Sequence, residues 1–117
     1  MNPTINNLTN ETFSEAVAGG ITVIDFWAAW CAPCRTMAPQ FERAARLRPD
    51  YQFAKVDVDA EPELAARFGI QSIPTLMVLR EGEPVAAQAG VIGADALVGA
   101  LDRIATQPLA GAQETTN

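Results

Sequence analysis

Two cysteines separated by two residues are reactive side chains at a spacing that allows them to form a disulfide. Cys31 and Cys34 lie in the segment Trp30-Cys31-Ala32-Pro33-Cys34, where an apolar run gives way to a helical pattern. Residues three apart on a helix share a face, so the two sulfurs can approach closely enough to form a disulfide. Such a bond closes a short loop and adds little chain-entropy stabilisation, so it can be made and broken readily. The pair predicts reversible thiol–disulfide exchange.

The position of Cys31 at the predicted start of a helix sets its reactivity. Unpaired backbone N–H groups and the positive end of the helix dipole favour a thiolate over a thiol there. Pro33 suits the first turn, where its missing N–H costs nothing. We therefore predict that Cys31 is the exposed nucleophile. Cys34, one turn further in, is predicted to be the buried resolving thiol that attacks the mixed disulfide.

A Cys-x-x-Cys pair alone also fits two other interpretations, half of a zinc site or two incidental small core residues. Zinc usually takes four ligands, commonly Cys or His. The chain has two cysteines and no histidine, so only a zinc site shared between two chains remains. We predict that no metal is bound. Because the commonest general base is absent, proton transfer must use a carboxylate, a lysine, water or the thiols.

Asp25 and Lys55 are charged residues in two predicted strands. A carboxylate within the apolar run 21–27 is costly unless it is neutral or partnered. We interpret Asp25 as a general acid–base group behind Cys34; the alternative is a polar residue at the strand's end or one satisfied by backbone N–H groups. Lys55 shares a strand face with two aromatic residues. It could reach Asp25 directly or through water, or it could extend to the surface.

Pro74 stands at the start of another predicted strand. Proline is tolerated at a strand's first residue because it gives up no ladder hydrogen bond there. A sharper hypothesis is a cis Ile73–Pro74 bond, which would fix a tight turn and leave neighbouring backbone groups free to pair with an extended substrate. The sequence leaves the cis and trans forms both open.

The elements that must hold these residues alternate between helical and extended patterns. The predicted order is a helix from Thr9 to near Gly19, a strand over 21–27, a helix from Pro33 to before Pro49, a strand over 51–58, a helix over 61–68, strands over 75–79 and 85–90, and a helix capped by Gly93 that runs to about Ile104. Helical crossovers give parallel strands, whereas the short turn over 81–83 gives an antiparallel hairpin. The sequence therefore predicts an α/β fold. Its mixed central β-sheet has parallel strands plus an antiparallel C-terminal hairpin, flanked by helices on both faces.

The composition is that of one ordinary domain. With 117 residues, 49% of them hydrophobic, the chain can bury a core without a disulfide or metal. We predict a single domain over 1–107 and a flexible C-terminal tail over 108–117. The net charge of −6 argues against nucleic acid. Because we find no targeting segment and no stretch able to span a bilayer, we expect a cytoplasmic protein with no membrane partner.

Taken together, these features resemble the thioredoxin family. The segments that carry the resemblance are Val-Ile-Asp-Phe-Trp-Ala-Ala-Trp-Cys-Ala-Pro-Cys-Arg at 23–35, Met-Ala-Pro at 37–39, Ala-Lys-Val-Asp-Val-Asp at 54–59 and Phe-Gly-Ile-Gln-Ser-Ile-Pro-Thr-Leu at 68–76. They match in order, and the resemblance runs from about Thr9 to Ile104. It implies the thioredoxin fold and the reduction of protein disulfides.

The resemblance also implies roles for individual residues. By position, Cys31 and Cys34 match the nucleophile and the resolving cysteine, Asp25 the buried acid, Lys55 its neighbour and Pro74 the cis-proline beside the active site. The implied substrate-binding residues form a flat apolar rim: Trp30, Ala32, Pro33, Ile73, Pro74, Gly90 and Val91. The resemblance further implies a monomer with no bound cofactor that is recharged by a thioredoxin reductase. Such a protein maintains cytosolic protein thiols and donates electrons to reductive enzymes.

One residue departs from the family's usual Cys-Gly-Pro-Cys motif, since Ala32 replaces its glycine. We expect a reduction potential nearer the reference thioredoxin value of about −270 mV than the DsbA value of about −120 mV. The reason is that alanine has no titratable group and favours the helix only modestly over glycine. Two other functional classes stay open: a non-enzymatic binding module on this fold, and a disulfide-forming oxidase or isomerase with a higher potential.

Overall fold

In the computed structural model, which describes residues 3–107, five strands form one mixed sheet with helices on both faces. The strands are β1 (Ile5–Asn7), β2 (Ile21–Trp27), β3 (Gln52–Asp57), β4 (Thr75–Arg80) and β5 (Glu83–Ala89). The helices are α1 (Phe13–Ala16), α2 (Ala32–Leu47), α3 (Pro62–Arg67) and α4 (Ala94–Thr106). The order across the sheet is β1-β3-β2-β4-β5, with β1, β3 and β2 parallel and the last two strands antiparallel to their neighbours. The predicted α/β fold class, including the C-terminal hairpin, is confirmed.

Strand β2 is buried along all but its two end residues because both faces of the sheet are covered. Its side chains alternate between the two faces. Val23 packs in a core cluster with Met37 and other residues of α2 and α4. Its neighbour Ile24 belongs to the cluster on the opposite face, which includes Phe13 of α1 and Leu64 of α3. The N-terminal end of α2, where both cysteines lie, thus packs against the central strand of a sheet that is covered on both faces.

The start of the chain differs from the prediction in two ways. Strand β1 was not predicted, because Ile5–Asn7 is short and mostly polar and is defined by its parallel pairing with β3. The first helix runs from Phe13 to Ala16 rather than from Thr9 to near Gly19. Between them, the Thr12 N–H donates to Thr9 Oγ1 at 3.2 Å and the Thr9 N–H donates to Thr12 Oγ1 at 2.9 Å. These side-chain bonds favour a turn over a helix.

The remaining predicted elements agree with the structure to within two residues at each end. Gly93 is the N-cap of α4, as predicted. The β4–β5 turn has positive φ at both Glu81 and Gly82, the backbone of a two-residue hairpin turn whose twist matches that of its strands. The predicted tail over 108–117 lies outside the described residues.

Candidate active site

The two cysteines lie where β2 passes through a short loop into α2. Cys31 is the N-cap residue of α2 and has an extended backbone, while Cys34 lies in its first turn. The Cys34 N–H donates to Cys31 Sγ at 3.2 Å. The two residues are joined as a disulfide, with their Cα atoms 5.2 Å apart. The sequence-based placement of both cysteines at the helix start is therefore found in the structure.

Cys31 Sγ accepts a backbone hydrogen bond at the N-terminus of α2. The first N–H groups of a 16-residue helix have no intrahelical partners and lie at the positive end of its dipole. One of them, from Cys34, already faces the sulfur. When the disulfide is reduced, the same arrangement stabilises a negative charge on Cys31 in preference to a neutral thiol. This geometry can therefore activate the Cys31 sulfur as a nucleophile by favouring its thiolate form.

Cys34 is buried, as predicted, but the prediction that Cys31 is exposed is wrong for the disulfide form. Cys31 is 3% exposed and Cys34 is 4% exposed. The reason is packing, because the disulfide forms a small apolar cluster with Ala28, against which the partly buried Val58 and Ile73 lie. The difference between the two sulfurs is therefore their place relative to the helix N–H groups and not their exposure.

The Ile73–Pro74 bond, left open by the sequence, is cis. The carbonyl oxygen of Ile73 lies 3.7 Å from Cys31 Sγ. On the other side, the Gly90 N–H donates to the Pro74 carbonyl at 2.8 Å. Gly90 has φ +89°, which only glycine adopts at no steric cost. Cys31, the Ile73–Pro74 bond and Gly90 thus form a continuous row.

Exposed apolar side chains flank this row. Trp30 is 68% exposed and Val91 is 44% exposed, although both are large apolar residues. The Trp30 side chain is held in place by a hydrogen bond, because its Nε1–H donates to Asp59 Oδ2 at 2.8 Å. Beside it is a shallow pocket of about 170 Å³, lined by Trp30, Val58, Ile70, Gln71, Ser72 and Ile73. Ala32 and Pro33 are exposed at the start of α2. Exposed apolar surface of this kind is a candidate contact site for another molecule.

Asp25 is buried within β2, with 1% of its surface exposed. Strand alternation puts it on the same face as Val23, the face covered by α2. Neither carboxylate oxygen has a hydrogen-bond partner within residues 3–107. Burial raises the pKa of Asp25 from 3.8 to about 6, and the positive charge of Lys55 opposes part of that rise. The carboxyl group therefore titrates close to neutral pH and is able to accept or release a proton there.

Lys55 is the neighbour of Asp25 across the parallel β2–β3 pair. It forms no direct ion pair with that carboxylate. Its ammonium group instead lies over the Trp27 ring, with Nζ 4.6 Å from the ring centroid. An aromatic face attracts a cation electrostatically. The half-buried Lys55 is thus close enough to act on Asp25 through space without contacting it.

Asp59 and Val58 contribute to the site but were not singled out from the sequence. They follow β3 directly, and side chains just beyond the carboxyl ends of parallel strands commonly line a functional crevice. That position was the available signal. Within residues 3–107 there is no group of three or more potential metal ligands, and no helix there is long and apolar enough to cross a membrane.

Comparisons with known proteins identify what this chain is similar to. The thioredoxin family model matches residues 4–103. A thioredoxin of Alicyclobacillus acidocaldarius is 49% identical over 80 residues, covering 67% of this chain and 76% of that relative. A thioredoxin of Staphylococcus haemolyticus is 40% identical over 103 residues, covering 85% and 96% respectively. A chain solved in work on thiol resolution of yeast mitochondrial 1-Cys peroxiredoxin by the glutathione and thioredoxin systems superposes with a TM-score of 0.78 at 29% identity, covering 86% of this chain and 95% of its own. The predicted fold is confirmed.

Proposed function

This chain belongs to the thioredoxin family and is a thiol–disulfide oxidoreductase, and we propose that Cys31 is its nucleophile and Cys34 its resolving thiol in the reduction of protein disulfides. One observation carries the assignment of roles. Cys31 Sγ receives the Cys34 N–H at the N-terminus of α2, so of the two sulfurs it is Cys31 that a helix dipole and a hydrogen bond together stabilise as an anion.

The proposed reaction transfers two electrons from the reduced dithiol to a substrate disulfide. The Cys31 thiolate attacks one substrate sulfur, the substrate S–S bond breaks, and the other substrate sulfur leaves as a thiolate that takes up a proton. Cys34 then loses its proton and attacks Cys31 Sγ. The mixed disulfide breaks, the second substrate thiol is released, and Cys31 and Cys34 are left oxidised.

Asp25 is proposed to accept the proton that Cys34 must lose in the second step. Two properties support this role. The carboxyl group is on the sheet face covered by α2, the helix that carries Cys34, and its pKa of about 6 lets it exchange a proton near neutral pH. Lys55 is proposed to tune that pKa through space and to remain outside the proton transfer itself.

The rim is proposed to bind substrate proteins around the disulfide under attack. Its members are Trp30, Ala32, Pro33, Ile73, Pro74, Gly90 and Val91. Support comes from the exposed apolar area of Trp30 and Val91 and from the Ile73 carbonyl, which lies 3.7 Å from Cys31 Sγ. Pro74, which follows it, is itself buried. A shallow apolar surface with a few fixed backbone groups suits varied protein partners better than one small molecule.

The electrons for each cycle are proposed to come from a thioredoxin reductase, with the protein acting as a cytoplasmic monomer and without a bound cofactor. Family membership supports this arrangement, because an oxidised Cys31–Cys34 pair needs an external donor before it can react again. Regeneration of the dithiol by a bacterial thioredoxin reductase and NADPH, followed with a thiol reagent, tests it.

Reduction of insulin disulfides tests the proposed roles. The wild-type protein with dithiothreitol as donor is expected to accelerate insulin reduction. Cys31→Ser is expected to abolish the acceleration, whereas Cys34→Ser is expected to form mixed disulfides with insulin that persist on non-reducing gels. Normal turnover by Cys34→Ser, or trapping by Cys31→Ser instead, would contradict the assignment.

A further inference from the structure

Two residues on α2 accept hydrogen bonds from the loop that precedes α4 (residues 90–93) and from the first residue of α4. The Ile92 N–H donates to Met37 Sδ at 3.4 Å, and the Ala94 N–H donates to Gln40 Oε1 at 2.9 Å. Met37 is fully buried and Gln40 is half-buried. Because residues three apart lie on one face of a helix, the two acceptors face the same segment. Helix α2 is therefore joined to this segment by two hydrogen bonds.

The Gln40 bond also completes the start of α4. The first N–H groups of a helix need acceptors from outside the helix, and a side chain at the N-cap position usually supplies one. Here the N-cap residue is Gly93, which has no side chain to do so. Gln40 provides the acceptor from another helix. The Arg43–Asp95 ion pair nearby is 3.6 Å long and exposed, and such pairs contribute little.

The loop before α4, residues 90–93, carries part of the proposed rim. Its first residue, Gly90, is bonded to the Pro74 carbonyl. Ala94, the helix residue that directly follows the loop, is bonded to Gln40. Val91, exposed on the rim, lies between the Gly90 bond and the Ile92 bond to Met37. The position of Val91 is thus set on one side by Pro74 and on the other by α2, the helix that begins at Cys31.

We propose that Gln40 is a positioning residue for protein substrates: by binding Ala94 at the start of α4, it fixes the preceding loop, residues 90–93, so that Val91 stands at a constant place relative to Cys31. This inference rests on the proposed function of the rim. Gln40 acts through the loop and touches neither sulfur. Its loss therefore weakens substrate binding and leaves the exchange of bonds at Cys31 unaltered, which separates the effect on KM from that on kcat.

Gln40→Leu tests this proposal, because leucine keeps a similar side-chain volume and removes the acceptor. In the insulin assay, Gln40→Leu is expected to raise KM about three- to tenfold, the effect of one hydrogen bond, with kcat within about twofold of wild type. Gln40→Glu retains an oxygen acceptor and is expected to restore a KM close to wild type. Glu42→Leu, at an exposed position of the same helix, is the control and is expected to leave KM unchanged.

Amide hydrogen exchange gives a second measurement. The Ala94 amide is expected to exchange faster in Gln40→Leu and at the wild-type rate in Gln40→Glu. Should Gln40→Leu fail to fold, Met37→Leu removes the other acceptor at similar volume and is expected to raise KM in the same direction. A wild-type KM in a folded Gln40→Leu protein, even with a lowered Tm, overturns the inference and leaves the proposed function intact. Failure of the wild-type protein to reduce insulin overturns the proposed function instead.

Discussion

Asp25 and Lys55 are paired in register across β2 and β3, yet the lysine ammonium lies over the Trp27 ring and not on the carboxylate. A direct ion pair would hold the carboxyl group ionised and its pKa low. With the charge held at a distance, desolvation is the larger effect and the pKa of Asp25 rises to about 6. The aromatic ring thus holds the lysine where its charge lowers the pKa of Asp25 only in part, and the carboxyl group still titrates near pH 6.

The buried carboxyl group of Asp25 is expected to cost stability. Its folded-state pKa of about 6 lies above the unfolded value of about 3.9. The carboxyl group therefore destabilises the fold progressively as pH rises from about 4 to about 6, and the penalty is complete above that. A pKa difference of this size corresponds to about 3 kcal/mol. Asp25→Asn is expected to raise the free energy of unfolding by up to about that amount at pH 8.

Urea unfolding of the oxidised protein at pH 4 and pH 8 measures this change. Asp25→Asn is expected to gain most over wild type at pH 8 and little at pH 4. The same variant is expected to slow insulin reduction by at least about tenfold at neutral pH, since it removes a proton acceptor. A variant less stable than wild type at pH 8 would indicate instead that the carboxylate is well partnered.

Lys55 is expected to lower the pKa of Asp25, since its positive charge favours the ionised carboxylate. Lys55→Met removes the charge and is expected to move that pKa above about 6. Lys55→Arg keeps the charge and is expected to leave the pKa near the wild-type value. Carbon-13 NMR titration of the Asp25 carboxyl group provides the measurement. An unchanged or lower pKa in Lys55→Met would show that Lys55 has no electrostatic effect there.

Asp102 is expected to stabilise the junction between the end of α2 and α4. Its carboxylate accepts hydrogen bonds from Arg48 at 2.9 and 2.6 Å and from the Tyr51 hydroxyl at 2.9 Å. The Arg48 bond is the larger cause, with Tyr51 second, of a pKa lowered to about 2. This stabilisation is fully present above the unfolded value of about 3.9 and is lost as pH falls through about 2.

Asp102→Asn is therefore expected to lower the urea midpoint at pH 7, with a difference from wild type that shrinks as pH falls from 4 to 2. The effect is moderate because the pair is partly exposed to solvent. Glu42→Gln removes an exposed carboxylate and serves as the control, with little change expected. Insulin reduction by Asp102→Asn is expected to match wild type, since its partner Arg48 caps the end of α2 opposite Cys31 and a 16-residue helix is about 24 Å long.

Much of the fold was predictable because its signals are local. The apolar run of β2 and the Gly93 cap of α4 both appear in the structure where the sequence indicates them. Strand β1 was missed because three residues, two of them asparagine, gain their strand conformation from pairing with β3. The first helix starts late because the hydroxyl groups of Thr9 and Thr12 each accept the other residue's backbone N–H, which favours a turn.

The candidate site was predictable in its cysteines but not in its supporting contacts. Cys31 and Cys34 are recognisable because helix geometry links positions three apart. The Trp30–Asp59 bond and the Gln40 bond to Ala94 join residues 29 and 54 positions apart in the sequence. Contacts over such distances depend on how the elements pack, and no local pattern encodes them. The same holds for the burial of Cys31, which is caused by Val58 and Ile73.

Ala32 is expected to change the reduction potential only slightly. Its side chain is exposed at the first position of α2 and brings no charge near either sulfur. Ala32→Gly is expected to shift the midpoint potential by no more than about 30 mV, the shift that corresponds to a tenfold change in the equilibrium. Titration of both proteins against glutathione or dithiothreitol buffers measures the difference. A wild-type value near about −120 mV would point to an oxidase rather than a reductase.

Cys31 is expected to titrate as an activated thiol because its sulfur faces the Cys34 N–H at the start of α2. The measurement is the pH dependence of iodoacetamide alkylation in Cys34→Ser, which leaves a single thiol. The folded variant is expected to show a midpoint clearly below the ordinary cysteine value of about 8.5. The same variant unfolded in urea has no helix and is expected to return to that value. Equal midpoints in the two states would mean that the helix does not stabilise the thiolate. That result would contradict the assignment of Cys31 as the nucleophile.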